Sequence, residues 1–307
     1  MAFLYSKTER SPYNVEPQLQ IKRYCHRLQV EFRTLSKICK KLYYKYAPSR
    51  LTHRRNASLV KVPDYEIIAL LVWQAEEGIS SQRRFARCWG FCGLSRSRFK
   101  RRARALLGIT AQIVNDLNSR VDLFDQYMII DSLPMPLCQP IRNRRAKVFE
   151  ETANIGYNST KKFYYYGFKG HFAVSQDGYV LGYVITKASI HDAKEAEELI
   201  LSPRPEGHFI LGDEGYIGKL LHDTLKIDGY ILWTPYRKNM KGAKQHNKRE
   251  LMAIRRTIES VFSVLKYYGI ENILARNVDG FQQTVEIIVL TYNISYILQR
   301  YGFRFFN

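Results

Sequence analysis

Two apolar runs of the chain end in aspartate. Tyr127-Met-Ile-Ile130 leads into Asp131, and Phe209-Ile-Leu-Gly212 leads into Asp213. Each run has the character of a short buried strand. Each carboxylate is therefore expected at the carboxyl end of a strand, where sites assemble in open α/β sheets. A third carboxylate is expected from a helix packed beside them. In the helix expected from about Lys248 to Tyr268, Ile254, Ile258, Val261 and Leu265 form a core-facing stripe, and Glu259 lies at its edge. Arg255 and Lys266 share that side of the helix. Three carboxylates brought together repel unless cations neutralise them. An all-oxygen donor set suits Mg2+, with Mn2+ able to substitute. Two such ions about 4 Å apart can activate a water or a hydroxyl and stabilise the leaving oxygen of an in-line phosphoryl displacement. Taken singly, each residue has a plainer reading. Asp131 suits a turn, Asp213 competes with Glu214, and Glu259 suits an ion pair with Arg255 or Arg256.

The charge balance names the partner. The 307 residues carry 48 Lys+Arg against 28 Asp+Glu, a net of +20. Residues 1–120 hold 24 and 8 of these, residues 121–307 hold 24 and 20, so +16 of the surplus lies in the front. Such a surplus calls for a polyanion, nucleic acid or an anionic membrane surface. With 46% hydrophobic and 25% charged residues, wholesale disorder and a disulfide scaffold are both excluded. No stretch approaches the roughly 18 apolar residues of a membrane span, and the first residues lack a signal-peptide pattern. The five cysteines, Cys25, Cys39, Cys88, Cys92 and Cys138, are odd in number and scattered, which fits a reducing, cytoplasmic compartment. Cys88, Cys92 and Cys25-His26 match no standard zinc spacing, so small buried cysteines are expected.

The elements that must position these groups divide near residue 120. The front, 1–120, reads as helical, with apolar periodicity over Leu28–Tyr46 and a buried helix over Tyr65–Trp73. Near 81–108 a helix, a turn holding Gly90 and Gly93, and a basic helix follow one another. Ser95 is the expected N-cap of the second helix and Gly108 its stop. Phe99, Ala103 and Leu106 would bury one face, leaving Arg96, Arg98, Lys100, Arg101, Arg102 and Arg104 outward. This is a helix-turn-helix-like layout, whose second helix enters the major groove of DNA. A solvated basic helix is the plainer alternative.

The rear, 121–307, reads as α/β. Tyr164–Val174 alternates as a strand, Asp177-Gly178 is a hairpin turn, and Tyr179–Ile185 returns. Helix His191–Leu201, strand Phe209–Gly212, helix Gly218–Leu225 and strand Tyr230–Thr234 follow, then the helix of Glu259 and a last apolar helix Phe281–Arg300. That order predicts a mixed five-stranded sheet with helices, the ribonuclease H-like arrangement. Lys169 and His171 should project together from the second strand, as phosphate contacts or in a structural role. Arg142, Arg144, Arg145 and Lys147 lie in the connection after the first strand, as a DNA clamp or a solvated loop. Trp233 and Tyr236 suit core packing better than stacking on a base.

Five segments together carry a family resemblance. They are Ile130-Asp-Ser-Leu-Pro-Met-Pro-Leu-Cys138, Gly156-Tyr-Asn-Ser-Thr-Lys161, Tyr166-Gly-Phe-Lys-Gly-His171, Gly212-Asp-Glu-Gly-Tyr-Ile-Gly218 and Arg255-Arg-Thr-Ile-Glu-Ser-Val-Phe-Ser-Val-Leu-Lys266. Over about residues 125–300 the chain resembles the DDE transposases of bacterial insertion sequences, most closely the insertion sequence 982 family. The resemblance implies a catalytic triad at Asp131, Asp213 and Glu259, with Arg255 and Lys266 near DNA phosphates. The tyrosine of the family's Y-x2-R-x3-E-x6-K signature is replaced here by Met252. The implied protein binds the terminal inverted repeats of its element and performs metal-dependent strand cleavage and transfer on double-stranded DNA, element ends and target alike. It would use two Mg2+ per site, act as a homodimer or larger assembly, and reside in the bacterial cytoplasm at the nucleoid, without membrane attachment. The rival readings are a stand-alone metal-dependent nuclease of the same fold and a non-catalytic, transposase-derived DNA-binding protein.

Overall fold

The computed structural model describes residues 31–306 except 54, 56–58, 122–126, 160 and 202–208. Cys25, His26 and the start of the first expected helix lie outside the described residues. The front consists of α1 (Phe32–Tyr46), α2 (Ser49–Thr52), α3 (Asp64–Glu76), α4 (Gln82–Cys88), α5 (Arg96–Arg104) and α6 (Leu107–Arg120). Helix α3 is apolar almost all round and buried almost all round, from Ile67 to Ala75. Ser81 and Ser95 cap α4 and α5, accepting the amides of Arg84 and Arg98 at 3.3 and 3.4 Å. The connection between them turns on Gly90, Cys92 and Gly93, at φ +72°, +53° and +83°. Phe99, Ala103 and Leu106 are buried as expected, and Phe99 stacks on Phe91 at 4.1 Å.

The stop expected at Gly108 is not there. Helix α5 ends at Arg104, and Gly108 falls in the first turn of α6. Ile109, Ile113, Val114 and Leu117 give α6 a buried stripe against the last helix, and tertiary packing outweighs the glycine's preference for a helix end. Cys39 is buried, but Cys88 is exposed, because the apolar face of α4 is taken by Phe85.

The rear runs β1 (Tyr127–Pro136), β2 (Asn154–Asn158), β3 (Phe163–Ser175), β4 (Val180–Lys187), α7 (Asp192–Leu201), β5 (Phe209–Leu211), α8 (Lys219–Ile227) and β6 (Ile231–Trp233). Then come α9 (Ala243–His246), α10 (Arg249–Arg255), α11 (Thr257–Tyr267) and α12 (Val278–Tyr301). The sheet is mixed α/β in setting and six-stranded, one strand more than expected. Its order is β2-β3-β1-β5-β6, with β4 also on β3. The added strand, β2, is short and half polar, which hid it. Strands β1, β2 and β4 pair β3 antiparallel, and β1, β5 and β6 are parallel.

Alternation along the strands feeds two cores. Ile129, Leu133, Phe168, Phe172 and Val174 face α11 and α12, while Met128, Ile130 and Ala173 face α7 and α8. The first core continues without a break into the front, where α12 packs on α3 and α6. The polar residues of α12 have partners inside. Glu286 accepts from Thr110 at 2.9 Å and Gln282 at 3.0 Å, and Asn293 brackets the backbone of Val180. Among the described residues no helix is long and apolar enough to cross a membrane.

Two differences bear on the carboxylates. Asp131 is not at the end of β1, which runs on to Pro136 along β3. What ends beside Asp131 is the parallel pairing. Ile129 opposite Leu211 is the last β1–β5 pair, so Asp131 and Asp213 each stand two residues past it. The helix expected over 248–268 is broken at Arg256, where Glu259 donates to the Arg256 carbonyl in a tight turn.

Candidate active site

The point where β1 and β5 part places Asp131 and Asp213 side by side, and the break at Arg256 turns both Arg255 and Glu259 toward them. One guanidinium touches all three carboxylates. Arg255 Nη1 lies 3.8 Å from Asp131 Oδ2 and 3.6 Å from Asp213 Oδ1, and its Nη2 lies 3.8 Å from Glu259 Oε1. These are ion pairs longer than hydrogen bonds. Side-chain exposure rises from 12% at Arg255 through 22% at Asp131 and 47% at Asp213 to 61% at Glu259. The cluster thus has a floor at Asp131 and a mouth at Glu259.

Asp131 accepts the Ser132 amide at 2.7 Å. Its carboxyl is nevertheless pushed up to about 7, first by burial and then by the negative charge of Asp213. Ser132 and Arg255 offset this only in part. A half-buried carboxylate beside another is a site that gains from a further cation. All donors are oxygens, which suits a hard divalent ion. Among the described residues no three acidic, histidine or cysteine side chains close around a metal-sized point, and the Arg255 guanidinium stands between the three carboxylates.

Residues 123–277 match the family model described as the transposase DDE domain. The chain belongs to the DDE transposase family. Two solved transposase structures are also similar. One is a cryo-EM structure of the piggyBac transposase synaptic complex with hairpin DNA, at TM-score 0.45 and 11% identity, covering 92% of this chain and 78% of that one. The other is a crystal structure of the Mos1 mariner paired end complex with Mn, at TM-score 0.23 and 12% identity, covering 76% and 86%. No curated protein matches the chain.

Asp131, Asp213, Arg255 and Glu259 of this DDE transposase all fall inside the matched segment. Sequence reasoning missed a fourth carboxylate, Asp192, at the start of α7. It receives Lys169 Nζ at 3.0 Å and has His171 Nδ1 at 3.8 Å. A Cβ on Gly215 would lie 3.0 Å from its Oδ2, so the loop after Asp213 presses directly on it. Tyr216, fully buried, keeps a hydroxyl with no partner among the described residues. Burial and the charges of Asp192, Asp131 and Asp213 all push that phenol well up. An aspartate in a first helical turn is an ordinary helix residue, so spacing alone gave no signal for Asp192.

The other expected contacts are distributed as follows. Lys169 and His171 lie on the sheet face opposite Asp131 by register, and both have internal partners. Lys169 also donates to the Ile190 carbonyl, and His171, wholly buried, shares a 2.9 Å hydrogen bond with Thr186. Burial drives the His171 imidazole down to about 4, so it is neutral near pH 7. Lys266 pairs with Glu271 at 3.5 Å, away from the three carboxylates. On α5, Arg102 is paired with buried Asp64 and Arg104 with Asp279. Arg96, Arg98, Lys100 and Arg101 stay exposed. Arg142, Arg144 and Arg145 are exposed on a 3-10 turn, Pro140–Arg145. Trp233 and Tyr236 enclose His246, at 5.6 and 3.7 Å between rings, in one stack beside the β5–β6 ends. Glu214 is drawn off to Arg237 at 3.8 Å.

Proposed function

We propose that the chain is an insertion-sequence transposase of the insertion sequence 982 type, with a ribonuclease H-like catalytic part at 121–307 and a DNA-binding part at 1–120. In this reading the exposed cations of α5 serve a helix-turn-helix-like contact with the terminal inverted repeats of the element. Arg142, Arg144 and Arg145 hold flanking phosphates. Asp131 and Asp213 would hold Mg2+, with Glu259 completing the site for two ions. The ions, when bound, supply Lewis acidity to the scissile phosphate and lower the pKa of the attacking oxygen. The chain's own residues do the rest. Asp131 and Asp213, fixed by two diverging parallel strands, set the distance between their carboxylates. Glu259, the most exposed of the three, stands at the mouth where the attacking water or 3′-hydroxyl would enter. Arg255, beside all three carboxylates, is the cation that would meet a non-bridging phosphate oxygen. Two element ends handled together call for a homodimer or a larger assembly.

The observation that supports this reading is one guanidinium 3.6–3.8 Å from a carboxylate oxygen of each of Asp131, Asp213 and Glu259. The test is product analysis on a denaturing gel, with a DNA fragment carrying the element's end, a target plasmid and Mg2+. Nicking at the end followed by joined strands longer than the substrate supports a transposase. Cleavage at any sequence with no joined product supports the stand-alone nuclease. Equal binding by wild type and Asp131→Asn, with no cleavage by either, supports the non-catalytic DNA-binding protein.

A further inference from the structure

Between the 3-10 turn Pro140–Arg145 and the β2–β3 pair lies an open cleft of about 550 Å3, lined by Pro140, Ile141, Asn143, Arg144, Arg145, Ile155 and Tyr164. That volume lies in the range of sites that hold a small organic group. Its apolar members are left unusually bare. Ile141 is 87% exposed and Tyr164 64% exposed, and Tyr157, opposite Tyr164 in register, lies ring to ring with it at 4.9 Å. Apolar surface of this kind, set among cations, marks a binding site more than a solvated loop.

The turn is held in place. Asn143 donates to the Tyr164 carbonyl at 2.9 Å and accepts the Tyr166 amide at 3.2 Å, so its amide is spent on docking the turn against β3. What remains to meet a ligand is an aromatic ring, aliphatic wedges and the guanidinium groups of Arg144 and Arg145, which pair with no carboxylate among the described residues. Parity along β3 puts Tyr164 on the same sheet face as Phe172, the cross-strand partner of Asp131. The eight residue steps between them span at most about 26 Å.

We propose that this cleft takes one unpaired nucleotide of the bound DNA, a reading that rests on the DNA-processing role above. The base stacks on Tyr164, Ile141 fills the gap it leaves in the duplex, and Arg144 and Arg145 hold its flanking phosphates. Apolar side chains inserted between base steps and aromatic stacking platforms are general devices of DNA binding. Because the Asn143 amide is already engaged, the site recognises the ring face and the phosphate, and tolerates any base.

The test measures binding of the full-length chain, in EDTA so that no strand is cut, to two labelled duplexes that differ by one unpaired adenine. The expected result is a preference for the bulged duplex of about fivefold or more. Tyr164→Ala and Ile141→Ser should remove the preference while leaving affinity for the paired duplex within about twofold. Tyr164→Phe should keep it, since stacking needs the ring and not the hydroxyl. Replacing Arg144 and Arg145 by alanine should weaken both duplexes and flatten the salt dependence. Equal affinity of the wild type for the two duplexes, or a preference that survives Tyr164→Ala in a folded protein, overturns the cleft assignment and leaves the DNA-processing role standing. Failure to bind either duplex overturns both.

Discussion

At the residue scale the three carboxylates are short of cations. Asp131 is half-buried beside Asp213, with a single guanidinium shared among three carboxylates. Its carboxyl is raised to about 7, above the ordinary carboxylate value of about 3.9. The sign of the linkage follows. The folded state holds this proton more tightly than the unfolded one, so the stabilisation is complete at low pH and is lost as pH rises through about 7. In EDTA the melting temperature of the wild type should therefore fall between pH 5 and pH 8 relative to Asp131→Asn, measured in parallel thermal melts. Mg2+ should raise the wild-type melting temperature at pH 8 more than at pH 5.5, and should do neither for the variant. A second residue-scale expectation concerns α5. Arg102→Ala removes the guanidinium from buried Asp64, which keeps the Tyr43 hydroxyl at 3.1 Å, and should cost about 1–3 kcal/mol of stability, whereas Arg98→Ala or Arg101→Ala should cost under about 0.5 kcal/mol and weaken DNA binding instead. Urea titration and a binding assay separate the two effects.

At the element scale the sheet register explains why particular residue types are required. Gly156 of β2 lies against Ala188, and an added Cβ would come within 2.2 Å of its carbonyl oxygen, a backbone atom that cannot swing aside. Gly156→Ala should destabilise the fold by about 1–3 kcal/mol, read as a lower urea midpoint. Most of these elements were legible in sequence. The Asp177-Gly178 hairpin, the strand over 164–174 and the buried helix around Ile67–Val72 all announced themselves by local pattern. What was not legible depended on neighbours. Helix α6 carries a glycine in its first turn and forms because α12 covers its apolar stripe. The break at Arg256 has no proline or glycine to signal it, yet it sets how Arg255 and Glu259 face the strands. Asp131 and Asp213 stood out because apolar runs lead into them, and Glu259 because it lies at the edge of an apolar helical stripe. Asp192 and Tyr216 did not stand out, because what sets them near these carboxylates is packing against Lys169 and the loop after Asp213.

At the scale of the whole molecule, the excess of cations and the continuous core act together. The basic front is not tethered loosely. Helix α12 packs on α3 and α6, so α5 is carried on the same core as the strands that hold Asp131 and Asp213. A rigid link of that kind would fix the distance between end recognition and the reacting phosphate. The net charge of +20 predicts binding dominated by phosphate contacts. Affinity for duplex DNA should fall by about tenfold or more between 50 and 200 mM salt. Replacing Arg96, Arg98, Lys100 and Arg101 together by alanine should reduce the slope of log affinity against log salt by about 3–4.

The most direct measurement of the central claim is metal-dependent strand cleavage by the wild type beside Asp131→Asn, Asp213→Asn and Glu259→Gln, each checked for folding and for undiminished DNA binding. If the three carboxylates form one phosphoryl-transfer site, every variant should lose about a hundredfold or more of the cleavage rate in Mg2+ while still binding DNA. Wild-type cleavage rates retained by any one of the three would contradict it.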